Sequence, residues 1–142
     1  MTQKEIIEYN KRCAEFLGYE LITPQMRKNP EKWKDYSYWE HKDKANVHSS
    51  EKVLGSEKSL SFHSDWNWIM KVVNEILKQG YRKYTQSHEE YSRCVFTDMA
   101  ISYQTHDFGG GNIVADSGNC NTEKEAVVNT INQFLIHYYE TK

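Results

Sequence analysis

The sequence predicts an α+β fold with three helices and a three- to four-stranded antiparallel sheet, layered α/β/α. Three observations predict it. Two stretches carry apolar residues at helical spacing, each as a single stripe. Between them, after Gly80, the period changes from helical to alternating, as in half-buried strands. A single stripe on each helix suits a helix that covers a sheet rather than one that lies inside it.

The stretch Phe62–Gly80, FHSDWNWIMKVVNEILKQG, organises the rest. Trp66, Ile69, Met70, Val73, Ile76 and Leu77 form its stripe, and Trp66, Ile69, Met70 and Val73, with Ile131 and Phe134 of the last helix, are expected to be buried. Ser64 stands where an N-cap belongs, and Asp65 follows in the first turn, where the helix dipole favours negative charge. Gly80 follows the last periodic residue. The spacing predicts a helix over Asp65–Gln79. Thr122–Tyr139 is the second clear helix, with Thr122 and Glu125 at capping-box spacing. Its face holds Val127, Ile131, Phe134, Leu135 and Tyr138.

Thr2–Leu17 predicts the remaining helix. Thr2 and Glu5 again have capping-box spacing, and Ile6, Tyr9, Cys13, Phe16 and Leu17 make a narrow stripe before Gly18. Glu20–Leu60 is less regular. KWKDYSYWEH suits a short hairpin or a strand, because aromatics fit pleated surfaces. His41–Lys58 has few apolar residues and reads as a mobile loop, an insertion within one domain spanning residues 1–142. Strands are expected at Tyr81–Thr85, Tyr91–Asp98, Ile101–Thr105 and Asn112–Ala115. The run Asp107–Asn112, DFGGGN, is a turn, since glycines adopt positive φ at low cost. No internal repeat is visible.

Composition narrows the function classes. Apolar residues make up 38% of the chain and aromatics 13%, so aromatics must carry much of the core. The net charge of -2 and pI near 6.3 give no global field for nucleic acid or an anionic membrane. No run is long enough for a membrane span, and the charged N-terminus lacks a signal-peptide core. Three cysteines, Cys13, Cys94 and Cys120, are odd in number and share no short spacing, which fits a reduced, cytoplasmic compartment.

The motifs also carry a family likeness. His63, Asp65, Trp66, Trp68, Ile69, Met70, Val72 and Val73 match a pattern D/S-W-x-W-[LIM]-M-x-V-V with an aromatic or histidine lead. Glu125, Ala126, Val127, Thr130, Ile131, Phe134, Leu135 and Tyr138 match a closing E-A-V-x-x-[AT]-[IV]-x-x-F-[IL] helix followed by aromatics. In these, Leu60–Tyr139 resembles the small phage and prophage proteins of the phage ABA sandwich domain family, Bacteroidetes-type members especially. The stretch Glu20–Lys58 lies outside the resemblance. The resemblance implies a phage or prophage origin, α–β–α layering and a host bacterial cytoplasm. It implies no catalytic residues.

No pattern carries a reaction. DFGGGN lacks the Gly-Lys-Ser/Thr ending of a P-loop and does not lead from strand into helix. Ser64 has no triad or elbow context. The histidines and cysteines share no metal-ligand spacing, so neither a metal nor a cofactor is expected. The helix fold of double-stranded RNA binders needs a basic start to its last helix; TEKEAV is acidic, which disfavours duplex nucleic acid.

One candidate binding site remains. His63, Ser64 and Asp65 stand at a helix start, where backbone N–H groups receive anions. Trp33, Tyr36 and Trp39 suit stacking on a ring, with Lys34, Lys42 and Lys44 for phosphate. The plainer alternatives are a capped helix with a surface histidine and a hairpin of core aromatics. Trp68, off the main stripe, marks a packing, pocket or subunit contact. The expected function is a non-enzymatic module that binds or sequesters a small anionic or nucleotide ligand, in the manner of anti-defence proteins. The alternative is a protein–protein module that assembles as a homo-oligomer or inhibits a host protein.

Overall fold

Thr2 opens the first helix as its spacing with Glu5 requires. Its hydroxyl accepts from the Glu5 N–H at 3.2 Å, and the Glu5 carboxylate accepts from the Thr2 N–H at 3.0 Å. The computed structural model describes residues 1–26, 36–98 and 112–141. Among these are three helices and two three-stranded antiparallel sheets, an α+β class. The backbone gathers into two compact units, Met1–Ser61 and Phe62–Lys142.

In the first unit, α1 spans Gln3–Phe16 and buries Tyr9, Asn10, Cys13, Ala14 and Phe16. Asn10 donates to the Leu60 carbonyl at 3.2 Å, which ties the helix to the end of the unit. Strands β1 (Tyr19–Ile22), β2 (Tyr38–His41) and β3 (Val53–Ser56) form a sheet in that order. Tyr19 pairs with His41 and Leu21 with Trp39; Trp39 also pairs with Gly55. The ladder slips between Trp39 and Glu40, which marks a bulge.

The reading of 41–58 as one loop is therefore corrected. VLGS in β3 carries only two apolar residues and is partly exposed, so the period-2 signal is faint. Main-chain pairing with β2 forms the strand, and pairing leaves little trace in residue type. A 3-10 turn at Ser49–Glu51 leads into it, and the Tyr19 hydroxyl donates to the Glu51 carbonyl at 2.6 Å.

In the second unit, α2 spans Trp66–Lys78, followed by β4 (Arg82–Ser87), β5 (Ser92–Thr97), β6 (Ile113–Asp116) and α3 (Glu123–Glu140). The strands form a meander with β5 central, Tyr84 opposite Val95 and Phe96 opposite Ala115. Every residue from Cys94 to Thr97 is buried, so the central strand is covered on both faces. Helix α3 packs on β5 and β6, and α2 packs beside α3 and reaches β4. Phe134 of α3 meets Tyr81 edge-on at 4.8 Å and Phe96 at 5.8 Å. The strand expected at Ile101–Thr105 and most of the DFGGGN turn lie outside the described residues.

Two expectations about α2 change. Asp65, not Ser64, is the N-cap; its carboxylate accepts from the Asn67 N–H at 2.8 Å. A charged acceptor makes the stronger cap, so the helix starts one residue later. The buried stripe is Ile69, Val72, Val73 and Ile76, whereas Trp66 and Leu77 are exposed and Met70 is half-buried.

Candidate functional site

The start of α2 is built from a turn. Phe62 is fully buried and anchors it. His63 is half-buried, and Ser64 and Asp65 are exposed. Trp68 sets its ring edge-on against Phe62 at 4.9 Å, with the Lys71 ammonium 5.8 Å from the Trp68 ring centre. Trp68 is thus a packing residue. Asp65 already occupies the Asn67 N–H, so one of the donors offered to an anion is taken by the protein's own carboxylate.

The aromatic segment belongs to the first unit. Trp33 and Lys34 lie outside the described residues. Tyr36 is 42% exposed and stacks on Tyr38 at 5.7 Å. Trp39 is only 2% exposed, on the central strand of its sheet. A ligand ring would reach it only by displacing what covers that face of the strand. Of the lysines, Lys44 is paired with Glu40 at 2.8 Å, which raises its pKa, while Lys42 is exposed. Tyr36 and Trp39 fall in one unit and His63, Ser64 and Asp65 in the other, so each half stands by itself.

The remaining chemistry is quiet. Burial pushes the Cys13 thiol and the neighbouring Tyr9 hydroxyl far up, and burial also raises Cys94 against a hydrogen bond from Thr130. Such thiols are poor nucleophiles at neutral pH. Arg93 grips Asp116 through two bonds, at 2.9 and 2.5 Å. Among the described residues, no three His, Cys, Asp or Glu side chains converge as a metal site, and no helix is long and apolar enough to cross a membrane.

The outstanding surface feature is on α2 itself. At 100° per residue, its eight apolar side chains sweep roughly 200° of the helix, from Trp68 round to Met70. A surface helix commonly shows a stripe of about 100°. The centre of the arc is buried, and Phe62 covers the Trp68 flank. The other flank, Trp66, Met70 and Leu77, is left partly open, with Trp66 37% and Leu77 39% exposed. Lys124 of α3 holds its ammonium 5.9 Å from the Trp66 ring centre.

Comparison with family models, curated proteins and solved structures finds no match to this chain.

The flank was legible as an excess. Eight apolar positions on a thirteen-residue helix exceed what one buried stripe uses. From the sequence, Trp66 and Met70 are expected in the core and Trp68 off the stripe.

Proposed function

We propose that this chain is a non-enzymatic binding module that acts by direct contact with a protein partner, through the open flank of α2. One observation carries this reading: Trp66, Met70 and Leu77 lie in a row outside the buried stripe of a helix that is otherwise well packed. An exposed tryptophan beside an aliphatic residue is the composition of an interface anchor. A helix also holds that row rigidly, so little ordering entropy opposes contact. The D-W-x-W-I-M-x-V-V likeness supports a small accessory protein of phage or prophage type, with a host protein as partner.

The test is a double substitution, Trp66→Ser with Leu77→Ser, in the full chain. The wild type, cross-linked in bacterial lysate, is expected to retain one partner at fixed stoichiometry. The variant is expected to lose it while keeping its circular dichroism spectrum. Equal retention by both proteins overturns the reading. Sedimentation of the purified chain shows whether the partner is a second copy.

A small anionic or nucleotide ligand is the second reading. Its support is the stacked, open Tyr36–Tyr38 pair. Calorimetry against a nucleotide panel separates the two. Saturable binding that Tyr36→Ala abolishes, with the α2 variant unaffected, favours the ligand.

A further inference from the structure

Two histidines, His41 at the end of β2 and His48 in the connection from β2 to β3, perform the same local task. His41 Nδ1 accepts from the Asp43 N–H at 3.0 Å. His48 Nδ1 accepts from the Ser50 N–H at 3.2 Å and caps the 3-10 turn. Each ring takes a main-chain N–H two residues ahead, as Asn and Asp side chains do in Asx turns. The difference lies in the acceptor. An Asn oxygen accepts at any pH, whereas an imidazole Nδ1 accepts only while it carries no proton.

The surroundings hold the His41 ring to that task, while the His48 ring is exposed. Tyr19 of β1 meets the His41 ring edge-on at 4.9 Å. Gly18 leaves room on another side, since a Cβ there would lie 3.1 Å from His41 Nε2. The charged groups around His41 are Asp43, whose carboxylate accepts from Asn46, the Glu40–Lys44 pair, Glu20 across from Glu40, and Lys42 and Lys52. Around His48 they are Glu51 and, as a neutral partner, the Ser50 hydroxyl 2.8 Å from Nδ1. A protonated His48 can turn to donate to that hydroxyl, but the Ser50 N–H still loses its acceptor.

We propose that this connection is a proton-released latch: His41 and His48 close it as neutral acceptors, and protonation frees the Asp43 and Ser50 amides together. Bonds that use no imidazole bound the region that opens. His41 N–H donates to Lys52 O at 2.8 Å, Lys42 N–H to Gly18 O at 2.9 Å, and the Tyr19 hydroxyl to Glu51 O. The β2–β3 pairing therefore persists, as do the Asn46 N–H to Asp43 O and Glu51 N–H to His48 O bonds, and what protonation releases is the Asp43 and Ser50 amides themselves. The latch belongs to the first unit and does not depend on the function proposed for the α2 flank.

Amide and imidazole resonances of the full chain, followed by NMR from pH 8 to pH 5, test this. The Asp43 and Ser50 amide protons are expected to lose their hydrogen-bonded shifts on acidification, each with the midpoint of its own imidazole. In His41→Asn/His48→Asn the two amides are expected to hold their shifts across the range. His48→Asn alone leaves the His41–Tyr19 contact intact, and there only Asp43 should respond. Amides that stay unmoved while the imidazoles titrate overturn the proposal. So do amides that move equally in the double variant.

Discussion

The Thr130 hydroxyl of α3 donates to the Cys94 carbonyl at the centre of β5, at 2.8 Å. The same oxygen lies 2.8 Å from the Ala126 carbonyl one turn back, so one proton is shared between helix and sheet. Thr130 is fully buried, and this bond joins α3 to the strand it covers. Cys94 O keeps a second donor, the Ser117 N–H at 2.9 Å. Thr130→Val removes the hydroxyl at nearly constant volume and leaves neither carbonyl bare. We expect a loss of about 1 kcal/mol, the net value of one such bond, read from the urea midpoint at unchanged slope.

Phe134 and Trp66 should part company on truncation. Phe134 is 1% exposed and meets Tyr81, Phe96 and Tyr138. Phe134→Ala leaves a cavity among rings that cannot collapse, at a cost of about 3–5 kcal/mol. Trp66→Ala, on the open flank, should cost less than Phe134→Ala, because 37% of the Trp66 surface stays in water in the folded chain. Equal midpoint shifts in a denaturation series would place Trp66 in the core after all.

Trp39→Ala should act on stability rather than on ligand affinity. The ring is buried on the central strand of its sheet, and among the described residues its indole nitrogen has no hydrogen-bond partner. A loss of about 3–5 kcal/mol is expected. Trp39→Phe should cost less, since it sacrifices volume but no hydrogen bond. Thermal melts of the two variants check the order.

Acid should weaken the second unit through Asp116. Hydrogen bonds from Arg93 hold its carboxyl below the ordinary value of 3.8, against partial burial, and the Gly118 N–H assists. The folded state therefore binds the proton more weakly than the unfolded chain. The contribution is complete above the ordinary carboxylate range and is lost as pH falls through the depressed value. Both side chains are 30% exposed, so water screens the pair and the contribution is at most about 1 kcal/mol. Asp116→Asn should lower stability at pH 7 and flatten its fall between pH 5 and pH 2.

The sequence by itself determined the helices, because each is written in local terms. Caps at Thr2 and Thr122 and long apolar periods fixed α1 and α3 to within a residue. Cys94 to Thr97 announced β5 by alternation and apolar content. The α+β class followed from that order of elements.

Tertiary structure alone decided three matters. It separated Trp66 and Leu77 from the core, because a 200° apolar arc on α2 states how much surface is apolar, not which side meets α3 and the sheet. It placed Trp39 inside the first sheet rather than on a binding platform, since an aromatic strand looks the same in sequence whichever face is covered. And it made a strand of Val53–Ser56, whose stability comes from main-chain bonds to β2. Those bonds depend on a partner distant in the chain, and every residue type carries the same N–H and C=O to make them, proline apart.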